Sequence, residues 1–190
     1  MALLRAGQPL RVETVAARII AARRRLHLEK GGSRCSEGRK APAFRLPDAS
    51  GETVRLDHFH GRTVVLYFFP KADTPGCTTQ ACGVRDRLAD YEAAGAVVIG
   101  VSRDTPEELA RFAEKYDLPF VLLSDADHKV AEKYGVWVEK SMYGRRYWGV
   151  QRATFIIGPD GKLEKAFPKI SPKKHDELVL DALAELAPPF

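Results

Sequence analysis

Two cysteines five residues apart, Cys77 and Cys82, are the groups in this 190-residue sequence best placed to do chemistry. They lie in the string TVVLYFFPKADTPGCTTQACGVR, directly after Thr74, Pro75 and Gly76. Thr74 suits a helix N-cap and Pro75 the first helical position. Cys77 then falls in the first turn, where backbone N–H groups lack intrahelical partners and the macrodipole favours an anion. A thiol held there is biased towards thiolate, the nucleophilic form. The Thr74 hydroxyl donates one hydrogen bond and accepts two, so it can cap the helix and also touch a ligand.

The element in front of this helix must be a short buried strand. Thr63 to Phe69 is an unbroken run of β-branched, aliphatic and aromatic residues, ended by Pro70. A strand, a tight loop and a helix that opens on a cysteine make a redox-site layout. Other chemistries compete for the same residues. The C-x₄-C spacing lies within the structural-zinc range, and His58 and His60 stand upstream. The buried strand separates those two pairs, however, and both cysteines fall on one helix. A disulfide oxidoreductase also uses a helix-start cysteine, but its usual C-x-x-C spacing is absent.

Pro70, Thr74 and Cys77 match the P-x-x-x-[TS]-x-x-C signature of peroxiredoxins. The longer string YFFPKADTPGCTTQAC resembles the Q-type subfamily, the bacterioferritin comigratory proteins, from about Gly38 to the C-terminus. The resemblance implies that Cys77 attacks a peroxide and that Cys82 then resolves the sulfenic acid as an intramolecular Cys77–Cys82 disulfide. It also implies an arginine at the start of a late strand, and Arg152 in RATFII fits that pattern. Its guanidinium would steady the thiolate and orient the peroxide oxygens. Pro70, Thr74, Gly76, Gln80 and Arg152 would surround the substrate. Thioredoxin or a similar dithiol protein would reopen the disulfide, and no haem, flavin or metal would be needed. A thioredoxin-like α/β fold is implied, with an N-terminal hairpin and a central mixed sheet flanked by helices. A monomer is expected.

The net charge of +5 is unevenly distributed. Residues 1–40 hold ten basic and three acidic side chains, while residues 41–190 hold twenty and twenty-two. The basic character therefore belongs to the N-terminal segment, and the body offers no charge argument for nucleic acid. No apolar run approaches the roughly 18 residues of a membrane span. Three cysteines, two of them beside one strand, read as reactive chemistry in a reducing compartment, which favours a bacterial cytoplasm.

Apolar residues at helical spacing predict a basic helix over 12–27. It reads as a solvated helix, an organelle-targeting segment, or a contact for a membrane surface or nucleic acid. A non-enzymatic binding module acting through this helix is the remaining alternative function. Residues 29–40 read as a linker around Gly31 and Gly32, with Cys35 incidental in it. The domains are thus a basic extension, 1–35, and a catalytic body, 36–190.

Within the body, Phe44–Leu46 and Thr53–Leu56 predict a hairpin. The cysteine helix is expected to run to about Ala94, with Gly95 as its stop. Ala96–Ser102 predicts a strand, Thr105–Asp117 a capped helix, Phe120–Ser124 a strand and Asp127–Tyr134 a short helix. Residues 135–151 read as irregular, with Trp137, Tyr143, Tyr147 and Trp148 as packing residues. A strand from Arg152, a partner at Lys162–Phe167 and a helix over Lys173–Leu186 close the chain.

Overall fold

The computed structural model describes residues 35–187. The helix expected over 12–27 lies outside the described residues. Two short strands, β1 (Arg45–Pro47) and β2 (Thr53–Arg55), form the N-terminal hairpin. The main sheet has five strands, in the order β5-β4-β3-β8-β9: Val121–Ser124, Ala96–Ser102, Thr63–Phe68, Ala153–Ile157 and Leu163–Phe167. Central β3 runs parallel to β4 and antiparallel to β8, so the sheet is mixed.

The unbroken apolar run of β3 is explained by burial on both faces. Val64, Leu66 and Phe68 point into one core, with Tyr134, Val136 and Phe155. Val65, Tyr67 and Phe69 point into the other, under α1 (Pro75–Asp86), α2 (Leu88–Ala93), α3 (Pro106–Tyr116) and α5 (His175–Leu186). Each large apolar side chain buried in full contributes about 1.5–3 kcal/mol, so β3 is the best-anchored element from which to hang a site. A short helix, α4 (Lys129–Lys133), lies against the first core.

α3 forms as its sequence dictates. Thr105 Oγ1 accepts from the Glu108 N–H, Glu108 returns a carboxylate to the Thr105 N–H, and Pro106 opens the helix.

Three expectations are corrected. The cysteine helix does not run unbroken to Ala94, because Arg87 leaves the helical region at φ −113° and ψ 16° and α2 starts afresh. The break accompanies a tertiary contact, since it turns buried Tyr91 towards the carboxylate of Asp176. Residues 135–151 are not irregular but form a hairpin, β6 (Trp137–Met142) with β7 (Arg145–Val150). Its tip is Tyr143-Gly144, both at positive φ, which is the primed two-residue turn that suits strand twist. Charged residues along both strands hide the period-two pattern.

Cys35 is the third correction. It is buried in the core that holds Phe44 and Leu46, with its Sγ 3.7 Å from the Lys133 carbonyl. The stretch read as linker is thus packed into that core at Cys35.

Candidate active site

The site begins where β3 ends. The Phe69 N–H still bonds to Val101 O at 3.0 Å, and Pro70 then turns the chain out of the sheet. The next loop is fastened twice. Asp104, itself buried, accepts the Ala72 N–H at 2.7 Å. Asp73 adopts a positive φ of 56°, and its carboxylate receives Lys115 Nζ and the Tyr116 hydroxyl from α3.

Thr74 occupies the N-cap position of α1, and its carbonyl accepts the Thr78 N–H at 2.8 Å. Its hydroxyl makes no cap, contrary to the sequence reading. Instead it donates to the Lys71 carbonyl at 2.9 Å, because the loop folds back within reach of the side chain. The N–H groups of Gly76 and Cys77 are among those that a helix start leaves without intrahelical partners.

Cys77 sits in the first turn, only 2% exposed. Arg152 Nη2 stands 3.1 Å from its Sγ. The other guanidinium nitrogen donates to Gln80 Oε1, one helical turn below Cys77 on the same buried face. Sheet register brings the arginine here. The β3–β8 ladder ends with Phe68 opposite Ala153, so Arg152 emerges one step further, beside the cysteine loop. Its backbone is pinned by Ile170 N–H at 3.3 Å. Gly76 lies beside the guanidinium: a Cβ there would stand 3.4 Å from Arg152 Nη2 and 3.5 Å from Pro172 Cγ, in ordinary van der Waals contact.

Thr74, Gly76, Cys77, Gln80 and Arg152 thus meet around the start of one helix, with Pro70 at the head of the loop that leads to it. Cys82 does not join them. It is half-buried, with a free thiol, on the intact helix α1. Five helical residues rise about 7.5 Å, which puts the two Cα atoms roughly 8–9 Å apart. A disulfide needs roughly 4.4–6.8 Å. His58 and His60 stay on the turn before β3, and no cluster of three potential metal ligands forms among the described residues.

Sequence reasoning missed Lys140. Its ammonium donates to the Val150 carbonyl at 2.6 Å. Burial, and then the positive charge of Arg152, push its pKa down, while Cys77 pulls it up. Lys140 therefore lies within electrostatic reach of the thiol–guanidinium pair. It lines a cleft of about 380 Å³ with Pro70, Lys71, Arg103, Trp137 and Tyr147. Trp137 packs as expected, stacked on His128 and covered by Arg103. Tyr143, Tyr147 and Trp148 do not, for they are exposed on the hairpin. Only a reading of 135–151 as paired strands would have placed Lys140 at the site.

The sequence pattern of the AhpC/TSA family matches residues 38–166, which span the whole site from the cysteine loop to Arg152. The chain belongs to the AhpC/TSA family. As a peroxiredoxin it is a thiol-dependent peroxidase, an oxidoreductase with the thioredoxin fold. Peroxiredoxin Bcp of Escherichia coli K12 is 52% identical over 147 residues, covering 77% of this chain and 94% of that protein. Peroxiredoxin Bcp of Bacillus subtilis is 44% identical over 150 residues, covering 79% and 96%. Among solved structures, a mutant of Xylella fastidiosa PrxQ superposes with a TM-score of 0.78 at 31% identity, covering 83% of this chain and 100% of that one. The Xanthomonas campestris bacterioferritin comigratory protein gives 0.75 at 32% identity, covering 82% and 99%. Peroxide substrates and a thiol reductant go with this membership. Among the described residues no helix is long and apolar enough to cross a membrane.

Proposed function

We propose that Cys77 is the peroxidatic residue and Cys82 the resolving one. The single observation that carries this reading is the Arg152 guanidinium 3.1 Å from the Cys77 sulfur at a helix start. The Cys77 thiolate attacks one peroxide oxygen, the O–O bond breaks, and the other oxygen leaves as an alcohol or water once protonated. Arg152 and the N–H groups of the first turn stabilise the charge that develops on the departing oxygen. Thr74 and Gln80 line the substrate space, and Gln80 also fixes the plane of the guanidinium. The Cys82 thiol then attacks the Cys77 sulfenic acid, releasing water and leaving a disulfide. A dithiol protein of the thioredoxin type returns both cysteines to thiols and becomes a disulfide itself.

A monomeric enzyme is part of this reading, carried by the resemblance to the Q-type subfamily. Three cysteines, two of them close together after one strand, support a reducing, cytoplasmic setting. The burial of Cys35 supports a catalytic body that starts before residue 36, so that the basic extension ends ahead of it.

The test is peroxide-dependent NADPH oxidation with thioredoxin and thioredoxin reductase. Wild type should turn over, Cys77→Ser should not, and Cys82→Ser should stall after one oxidation. Sustained turnover by Cys77→Ser would overturn the assignment.

A further inference from the structure

Beneath the second turn of α1 lies a buried polar network that the reaction above does not use. Asp176, in the first turn of α5, accepts the Tyr91 hydroxyl at 2.7 Å through Oδ1. His175, fully buried, places Nδ1 3.0 Å from the same oxygen and Nε2 3.1 Å from Thr154 Oγ1. A carboxylate only accepts, so Nδ1 carries the hydrogen, and in the neutral ring Nε2 accepts from the Thr154 hydroxyl. The second carboxylate oxygen, Oδ2, rests against the backbone of Gly83, where a Cβ would collide with it.

Gly83 follows Cys82 directly. The turn that carries the resolving cysteine is therefore seated on a carboxylate held in place by α2, α5 and β8. We infer that Asp176, fixed by Tyr91 and His175, is a positioning residue that keeps the Cys82 turn helical and so sets how long the Cys77 sulfenic acid waits for resolution. This rests on the roles proposed for Cys77 and Cys82. With the helix intact the two sulfurs cannot bond, so closure requires the turn to leave Asp176. A tight seat slows closure and lets a second peroxide take Cys77 on to the sulfinic acid, while a loose seat speeds closure.

The inference reverses an expectation from helix propensity. Alanine favours a helix interior over glycine, so Gly83→Ala should on that ground alone stabilise the turn and delay the disulfide. With Asp176 packed on Gly83, the added methyl instead expels the carboxylate from its seat and hastens closure.

The experiment uses the full chain, with Gly83→Ala, Tyr91→Phe and Asp176→Asn. Amide exchange at 82–84 is followed in the reduced protein, and acid-quenched mass spectra after a peroxide pulse separate sulfenic, disulfide and sulfinic forms. Exchange in this turn should quicken by about tenfold, the scale of a lost hydrogen bond to a charged group. The disulfide should form faster, the sulfinic fraction should fall, and Cys77 should be oxidised at the wild-type rate. That split between two steps is something a general loss of stability would not produce. Slower exchange and slower closure in Gly83→Ala, or wild-type exchange in Tyr91→Phe, would overturn the seat. Tyr91→Phe keeps the buried ring and decides the matter even where Gly83→Ala does not fold. Should wild type form no Cys77–Cys82 bond at all, the reading of Cys82 fails, and the exchange arm still judges the seat.

Discussion

The two turns of α1 are fastened to the same strand by different chemistry. At the first turn, Arg152 from the start of β8 reaches the Cys77 sulfur and Gln80. At the second turn, Thr154, two residues along β8, reaches Gly83 only through His175 and Asp176. Arg152 and Thr154 sit two apart on one strand and so share a face. The first attachment depends on a charge that the proposed reaction consumes, because a sulfenic acid is neutral where a thiolate was not. The second depends on a carboxylate that the reaction leaves untouched. In the proposed cycle oxidation weakens the hold on Cys77 while Cys82 remains held, so that on this reading one helix keeps one cysteine ready and delays the other.

Loss of the thiol itself should cut deepest. Cys77→Ser should abolish turnover, while Cys35→Ser should leave it near wild type, since Cys35 packs in the core on the far face of the sheet. A coupled peroxide assay on both variants checks this. Next in size is the first-turn attachment. Arg152→Ala should slow Cys77 oxidation by about 10²–10³-fold, the usual cost of losing a donor aimed at developing charge. Arg152→Lys should recover only part of it, because an ammonium lacks the fork that reaches Sγ and Gln80 together. Single-turnover oxidation rates distinguish the two. Equal rates in all three proteins would show that the two turns do not differ as described.

Removal of residues 1–32 should have little effect on turnover or melting temperature. Extending the deletion through Ser36 should lower the melting temperature, because it takes Cys35 from the core. Thermal denaturation of both truncations sets the edge of the body. The smallest effect is expected in the loop leading to the first turn. Hydrogen bonds from Lys115 and then Tyr116 hold the Asp73 carboxyl below its ordinary pKa of 3.8. A depressed carboxyl contributes stability above its unfolded value and loses it as pH falls through the folded one. Asp73→Asn should therefore lower the melting temperature slightly at neutral pH, with the difference vanishing in acid below the ordinary value. The pair is exposed, so the shift should be small.

Much of this arrangement was legible in the residues. The apolar run of β3, the capping box of α3 and the Pro75–Cys77 helix start are local signals, and each element formed where its signal lay. Arg152 was reached through the RATF resemblance, since nothing local separates it from a surface arginine. What stayed hidden depends on partners far away in the chain. The Thr74 hydroxyl turned back to Lys71, the helix broke at Arg87 to aim Tyr91, and the Asp176 carboxylate packed against Gly83. The β6–β7 hairpin was missed because its strands carry charge on both faces and its tip is Tyr-Gly instead of Asn-Gly.

The most direct test is to identify which sulfurs join after oxidation. Reduced full-length protein would receive one equivalent of hydrogen peroxide, be alkylated, and be digested for peptide mass mapping. The proposed chemistry predicts one disulfide between Cys77 and Cys82, with Cys35 alkylated as a thiol. A bond involving Cys35, or oxidation that leaves both Cys77 and Cys82 alkylated, would contradict it.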